Sequence, residues 1–136
     1  MLVVASDRHR GHAPIAEIES SGLQPPFEHP GRADAIDRAV RADDRFTVVE
    51  PDPFGTEPIE AVHDRGLVAF LERAWREYQV EHPGTHDVVP DVFAMSGLLA
   101  GIGEFPAVLP VDSELGRWCF ETTTPIAEGT DEAARS

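Results

Sequence analysis

Gly66-Leu67-Val68-Ala69-Phe70-Leu71-Glu72-Arg73-Ala74-Trp75-Arg76-Glu77-Tyr78 is the stretch on which the fold turns. Leu67, Phe70, Leu71, Ala74, Trp75 and Tyr78 recur at i, i+3, i+4, i+7, i+8 and i+11, one continuous helical stripe. Glu72, Arg73, Arg76 and Glu77 fill the opposite face. A helix of roughly three to four turns that hides two aromatics must pack on something large. Just upstream, Asp64 and Gly66 read as a helix junction. Further back, Thr56 is an N-cap candidate and Pro58 suits an early-helix position, which predicts a short helix over 57–62 with Ile59 and Val62 inward. Residues 46–49 are β-rich, and Pro51 and Pro53 end them. Residues 32–42 read as a helix with Ala33, Ile36, Ala39 and Val40 on one face. Residues 2–5 read as a short buried strand. Strands alternating with helices predict an α/β fold with a parallel sheet. Two strands are too few for such a sheet, whose faces must both be covered, so most of the domain is expected to be missing.

Residues 6–30 are polar and turn-rich, with Ser20-Ser21-Gly22 and Pro25-Pro26, and read as a long surface loop. Beyond the long helix, Pro83, Pro90, Pro106 and Pro110 and several glycines punctuate the chain. A short helix is predicted over 92–100, with extended loop otherwise up to residue 117. Thr130-Asp131-Glu132-Ala133-Ala134-Arg135 reads as a cap and an acidic first turn, a helix start about one turn before Ser136. A lone turn is unstable in water, so the sequence is expected to be a truncated domain spanning residues 1–136.

The formal net charge is −14, from 25 acidic and 11 basic residues, every one of the latter arginine. That balance repels a nucleic-acid backbone and an anionic membrane surface, and it attracts cations weakly and without specificity. Hydrophobic residues make up 41% of the chain, in the globular range. One cysteine, Cys119, excludes an internal disulfide. The first eight residues lack the basic start and apolar length of a signal peptide, and no stretch approaches a membrane span. A cytoplasmic protein is expected.

Six histidines occur. His9 and His12 lie three apart in a polar segment, and Pro83 and Gly84 separate His82 from His86, so a helical metal pair is not expected. His63-Asp64 are sequence neighbours, which do not face each other on a helix, and read as structural. Cys119 between Trp118 and Phe120 reads as an inert packed thiol. Gly101-x-Gly103 lacks the third glycine of a dinucleotide loop. Spacing alone stops at an α/β fragment.

Four blocks in order resemble acetylpolyamine amidohydrolase-like members of the histone deacetylase family. They are Ser6-Asp7-Arg8-His9-Arg10; Pro25-Pro26-Phe27-Glu28-His29-Pro30-Gly31-Arg32-Ala33; Val62-His63-Asp64 with Leu67, Phe70-Leu71-Glu72 and Ala74-Trp75; and Gly116-Arg117-Trp118-Cys119-Phe120-Glu121-Thr122-Thr123-Thr124-Pro125-Ile126 with Gly129-Thr130. The resemblance implies the amino-terminal part of an arginase/deacetylase-type parallel-sheet domain. It implies hydrolysis of an acetylated amine by a zinc ion held by two aspartates and a histidine, with a tandem-histidine pair and a tyrosine assisting. Those residues would all lie beyond the fourth block. No catalytic residue, metal ligand or cofactor is therefore expected in this chain, which should be inactive alone.

Two positions match residues of the family's cavity or channel. Arg32 corresponds to an arginine lining the inner cavity beneath the zinc, where a guanidinium could bind leaving acetate; the alternative is a helix-start arginine bound to nearby carbonyls. Asp112 falls where polyamine-type members carry an acidic residue on a loop reaching the partner subunit's channel; the alternative is a solvated loop aspartate. The resemblance thus allows a homodimer and an acetylated small-molecule amine as substrate. Glu19-Ser20-Ser21 stands where the family often has Tyr-Gly-Gly, and Thr123 stands at a second acidic channel position, departures that bear on polyamine specificity. The competing class is a non-enzymatic binding module, which would have to cover the stripe from Leu67 to Tyr78 with a partner or a second copy.

Overall fold

Local sequence writes the first strand pair directly. Leu2–Val4 (β1) and Thr47–Val49 (β4) are rich in β-branched residues and pair in parallel, with Leu2 opposite Thr47, Val3 opposite Val48 and Val4 opposite Val49. The structure is a computed structural model that describes residues 1–94 and 109–136. The connection between β1 and β4 contains the helix Pro30–Arg41 (α1), which packs on β4. Proline in the first turn of α1 costs no hydrogen bond, because the first amides of a helix have no partner inside it. The α/β reading with a parallel sheet holds. The expectation of a buried first strand does not: Leu2 and Val4 are exposed and Val3 is half-buried. A two-stranded ladder with α1 beside it covers only part of the strand surface.

The segment expected to be loop is structured. A 3-10 helix spans Asp7–Gly11, started by Ser6, whose hydroxyl accepts from the Arg8 amide at 3.1 Å. Glu17–Glu19 (β2) and Gly22–Gln24 (β3) then form an antiparallel hairpin. Its tight turn uses Gly22 at φ +102°, a conformation that side-chain-bearing residues avoid. The hairpin is held from outside its own sequence. The Ile18 amide donates to the Thr122 carbonyl at 3.2 Å, and the Thr122 hydroxyl donates to the Ile18 carbonyl at 2.6 Å.

Glu57–Glu60 (α2) is a single turn, and Val62 beyond it is exposed rather than inward. Arg65–Glu81 (α3) follows, capped by Asp64, whose carboxylate accepts from the Gly66 amide at 2.7 Å. The predicted stripe is the buried one. Phe70 and Ala74 are fully enclosed, with Leu67, Leu71, Trp75 and Tyr78 packed at the margin. What covers them is the helix Val111–Trp118 (α4), through Val111 and Leu115, together with Val88 and Ile126. Val88 and Ile126 exchange both backbone hydrogen bonds, at 2.9 and 2.8 Å. Helix α4 falls where extended loop is predicted. The helix predicted over 92–100 lies mostly outside the described residues, and 92–94 are not helical. Thr130–Ala134 (α5) is a single short helix that packs on the 3-10 turn and on α3.

Candidate functional site

A cleft of about 480 Å³ opens between the 3-10 turn, the start of α1 and α5. His9, His12, Glu28, His29, Arg32 and Thr130 contribute its polar wall, and Ala33, Ile36, Ala133 and Ala134 its apolar one. Two backbones make this junction. A Cβ on Gly129 would stand 2.6 Å from the Gly11 carbonyl oxygen, so the chain segments meet only because side chains are absent. That approach brings His12 Nδ1 to 2.9 Å from Thr130 Oγ1. The same hydroxyl oxygen accepts from the Ala127 amide at 2.8 Å, which leaves its own proton for the imidazole. Burial pushes the His12 pKa down, against the opposing pull of Asp87 and Glu28. His12 is thus a neutral ring fixed between segments, not the solvated loop histidine its setting predicts.

His9 Nδ1 donates to the Ser6 carbonyl at 2.7 Å, and its Nε2 lies 3.4 Å from Asp34, which Arg10 also grips at 2.7 Å. Asp7-Arg8-His9 has the Asp-x-His form of a metal-ligand motif. It sits inside the 3-10 turn with the histidine already engaged at both nitrogens, so it is not built as a ligand pair.

Arg32 lines this cleft from the first turn of α1. Its guanidinium is half-exposed and pairs with the Glu28 carboxylate one turn earlier, rather than with backbone carbonyls. Asp112 is elsewhere, sharing neither cavity nor partner with Arg32 among the described residues. It stands in the first turn of α4, not on a loop. His82, just beyond α3, places Nε2 at 3.2 Å from both Asp112 carboxylate oxygens, and its ring stacks on Tyr78 at 4.3 Å. Glu81 brings a third donor, and the three side chains offer atoms within 4.8 Å of one another. This trio is open to solvent and its histidine is taken up by Asp112. It does not fit the zinc centre of a hydrolase, which needs a shielded site with an open coordination position. No hydrolytic step is assigned to a metal on these residues.

A second cavity of about 520 Å³ lies between α3 and α5. Arg135 spans its charged wall, binding Asp131 at 2.9 Å and Glu72 at 2.7 Å. Cys119 is packed against the core, and burial, then Glu121, raises its pKa to about 11, so the thiol is inert as expected. The polar residues that sequence reading missed are Asp87 and Glu17. Asp87 accepts from the Ile15 and Ala16 amides at 2.7 and 2.9 Å. Glu17 is buried and accepts from the Phe27 amide at 3.2 Å, which fixes the Pro25-Pro26-Phe27 turn ahead of Arg32. Neither lies in a motif, because each acts on backbone that is remote in sequence or across a hairpin.

No family model matches the chain. Individual proteins do. The chain is 38% identical over 137 residues to acetylpolyamine amidohydrolase 1 of Pseudomonas aeruginosa, covering all of this chain and 38% of that protein. It is 34% identical to acetylpolyamine amidohydrolase 2 of the same species and 31% to the acetylpolyamine amidohydrolase of Mycoplana ramosa, again with all of this chain and 38% of each relative covered. The fold matches the crystal structure of acetylpolyamine aminohydrolase from Burkholderia pseudomallei at a TM-score of 0.84 and 29% identity, over 99% of this chain and 37% of that one. Sequence and fold together make the chain a homologue of the acetylpolyamine amidohydrolases along its whole length, spanning 38% of the relatives it matches and fitting an amino-terminal segment of their fold.

Proposed function

We propose that this chain is the amino-terminal segment of a zinc-dependent deacetylase that hydrolyses acetylated amines, of acetylpolyamine or acetyl-lysine type, and that the chain alone is inactive. The observation that carries the reading is the full-length match to acetylpolyamine amidohydrolases that are covered for only 38% of their length. In the complete enzyme, zinc would polarise the amide carbonyl and activate water, on ligands this segment does not supply. The segment's own part is wall and rim. Arg32 offers a guanidinium to a carboxylate product, and release of Glu28 would free it for that task. Asp112 offers negative charge to a cationic amine. A homodimer and a cytoplasmic setting belong to the same proposal; no helix among the described residues is long and apolar enough to cross a membrane.

The second reading, a stand-alone binding module, has one observation in its favour: the stripe from Leu67 to Tyr78 is covered from within by α4, Val88 and Ile126, so it needs no partner. Two preparations separate the readings. The 136-residue chain alone should hold no stoichiometric zinc and release no acetate from acetylputrescine or an acetyl-lysine peptide. A chimera in which it replaces the matched segment of the P. aeruginosa relative should bind zinc and release acetate. Turnover by the chain alone would sink the inactivity claim. A folded chimera with zinc but no turnover would sink the deacetylase reading.

A further inference from the structure

Glu81, His82 and Asp112 meet at the carboxyl end of α3, and their spacing suits a metal ion better than a hydrogen bond. His82 closes the helix, and its ring lies on Tyr78 with centroids 4.3 Å apart. The turn behind it, Pro83-Gly84-Thr85, is pinned where Gln79 Nε2 donates to the Thr85 carbonyl at 2.5 Å. Asp112 sets both carboxylate oxygens 3.2 Å from His82 Nε2. That is long for a charge-assisted hydrogen bond, which runs at about 2.7–2.9 Å. His86 and Asp87 show the short form, at 2.7 Å. Two ligand atoms of one ion, each bonded at about 2.0–2.2 Å, stand about 2.9–3.5 Å apart. Glu81 offers the third donor, all three within 4.8 Å of one another, and its exposed side chain can close the remaining gap by a rotamer change.

Charge points the same way. Helix α3 has 17 residues and no basic residue in its last turn. Glu81 thus puts negative charge at the negative end of the helix dipole, an arrangement that a bound cation relieves. Burial, then the charges of Asp112 and Asp91, raises the Tyr78 pKa, so a second aspartate adds to the same negative field. We propose that Glu81, His82 and Asp112 form an exchangeable site for a late first-row divalent cation of the nickel or zinc class, which clamps the end of α3 to the start of α4. The imidazole selects such ions over magnesium and calcium, which take oxygen ligands. The His82 and Asp112 side chains are 40% and 45% exposed, so water completes the coordination shell and the ion exchanges with the buffer. The ion replaces the direct His82–Asp112 contact, and while it is bound Asp112 cannot also serve a cationic amine. The inference stands on this geometry and not on the proposed function.

The test titrates the 136-residue chain with NiCl2, read by calorimetry and by the amide resonances. Binding should saturate at one ion per chain, and paramagnetic loss of signal should centre on residues 78–82 and 110–114. His82→Ala and, separately, Asp112→Asn should weaken binding about tenfold or more, Glu81→Gln less, while His86→Ala should leave it unchanged. The melting temperature should rise with NiCl2 concentration in the unsubstituted chain, and not in His82→Ala or with MgCl2. A metal-free melt checks that each variant folds; Asp112→Asn and Glu81→Gln keep the side-chain shape, and the signal map of the unsubstituted chain needs no variant. Absence of saturable binding, signal loss centred on another histidine, or an affinity indifferent to both His82→Ala and Asp112→Asn overturns the proposal. The deacetylase reading fails on a different result, a folded zinc-bound chimera without turnover, so the two failures are distinct.

Discussion

At the scale of single residues, buried polar groups hold segments that sequence alone leaves unconnected. Asp87 is largely buried and ties residues 15 and 16 to the strand-like stretch at Val88 through two backbone amides. Replacing it by alanine leaves those amides without their charged acceptor. Asp87→Ala should cost about 1.5–3 kcal/mol in a denaturant melt, and Asp87→Asn less. His12 makes a second tie, and its sign can be worked out. Its folded pKa lies below the ordinary 6.5 because burial disfavours the charged ring. The unfolded chain therefore takes up a proton before the folded one does as pH falls. The stability that the neutral ring contributes is full above about 6.5 and is lost as pH falls from there through the lowered value. Melts from about pH 7.5 to 5.5 should show a decline that His12→Gln makes shallower.

At the scale of elements, the core is one helix pair and a short antiparallel bridge. Phe70 and Ala74 of α3 meet Val111 and Leu115 of α4, with Val88 and Ile126 closing the side. Arg73 stitches the rim, reaching Glu77 on its own helix and Glu114 on α4, whose hydrogen bond is the main reason the arginine pKa rises. Leu115→Ala would leave a cavity that this small cluster has little freedom to fill, and should cost about 2–5 kcal/mol by denaturant melt. The long helix was legible because its period of apolar residues is sustained over three turns. Its cover was not. Val111-Asp112-Ser113-Glu114-Leu115 carries only two core residues and follows a proline, so its helical period is too short to stand out from loop. The hairpin was missed for a related reason. Its strands are three residues each, below the length at which alternation is recognisable, and its stabilising bonds come from Thr122.

At the scale of the whole molecule, the first strand pair is exposed to a degree that local sequence does not announce. The fold superimposes on the solved Burkholderia relative over 99% of this chain and 37% of that one. Leu2, Val4 and Val49 lie exposed on the β1–β4 ladder, and the zinc assay and the chimera test what the segment contributes to a complete domain. The net charge of −14 is compatible with attraction of a cationic amine but does not specify it, since a field of one sign draws any cation.

The sequence by itself determined the α/β class, the buried stripe of α3 with its Asp64 cap, the inert Cys119 and the family resemblance, because each is written in residues close together along the chain. Only the tertiary structure decided which segment covers that stripe, that Asp112 sits on a helix bound to His82, that Arg32 pairs with Glu28, and that Leu2 and Val4 of the first strand are exposed. Apart from the Arg32–Glu28 pair, which is one turn apart, those outcomes depend on residues distant along the chain, as Asp112 is from His82 30 positions before it, and local sequence carries no signal for them.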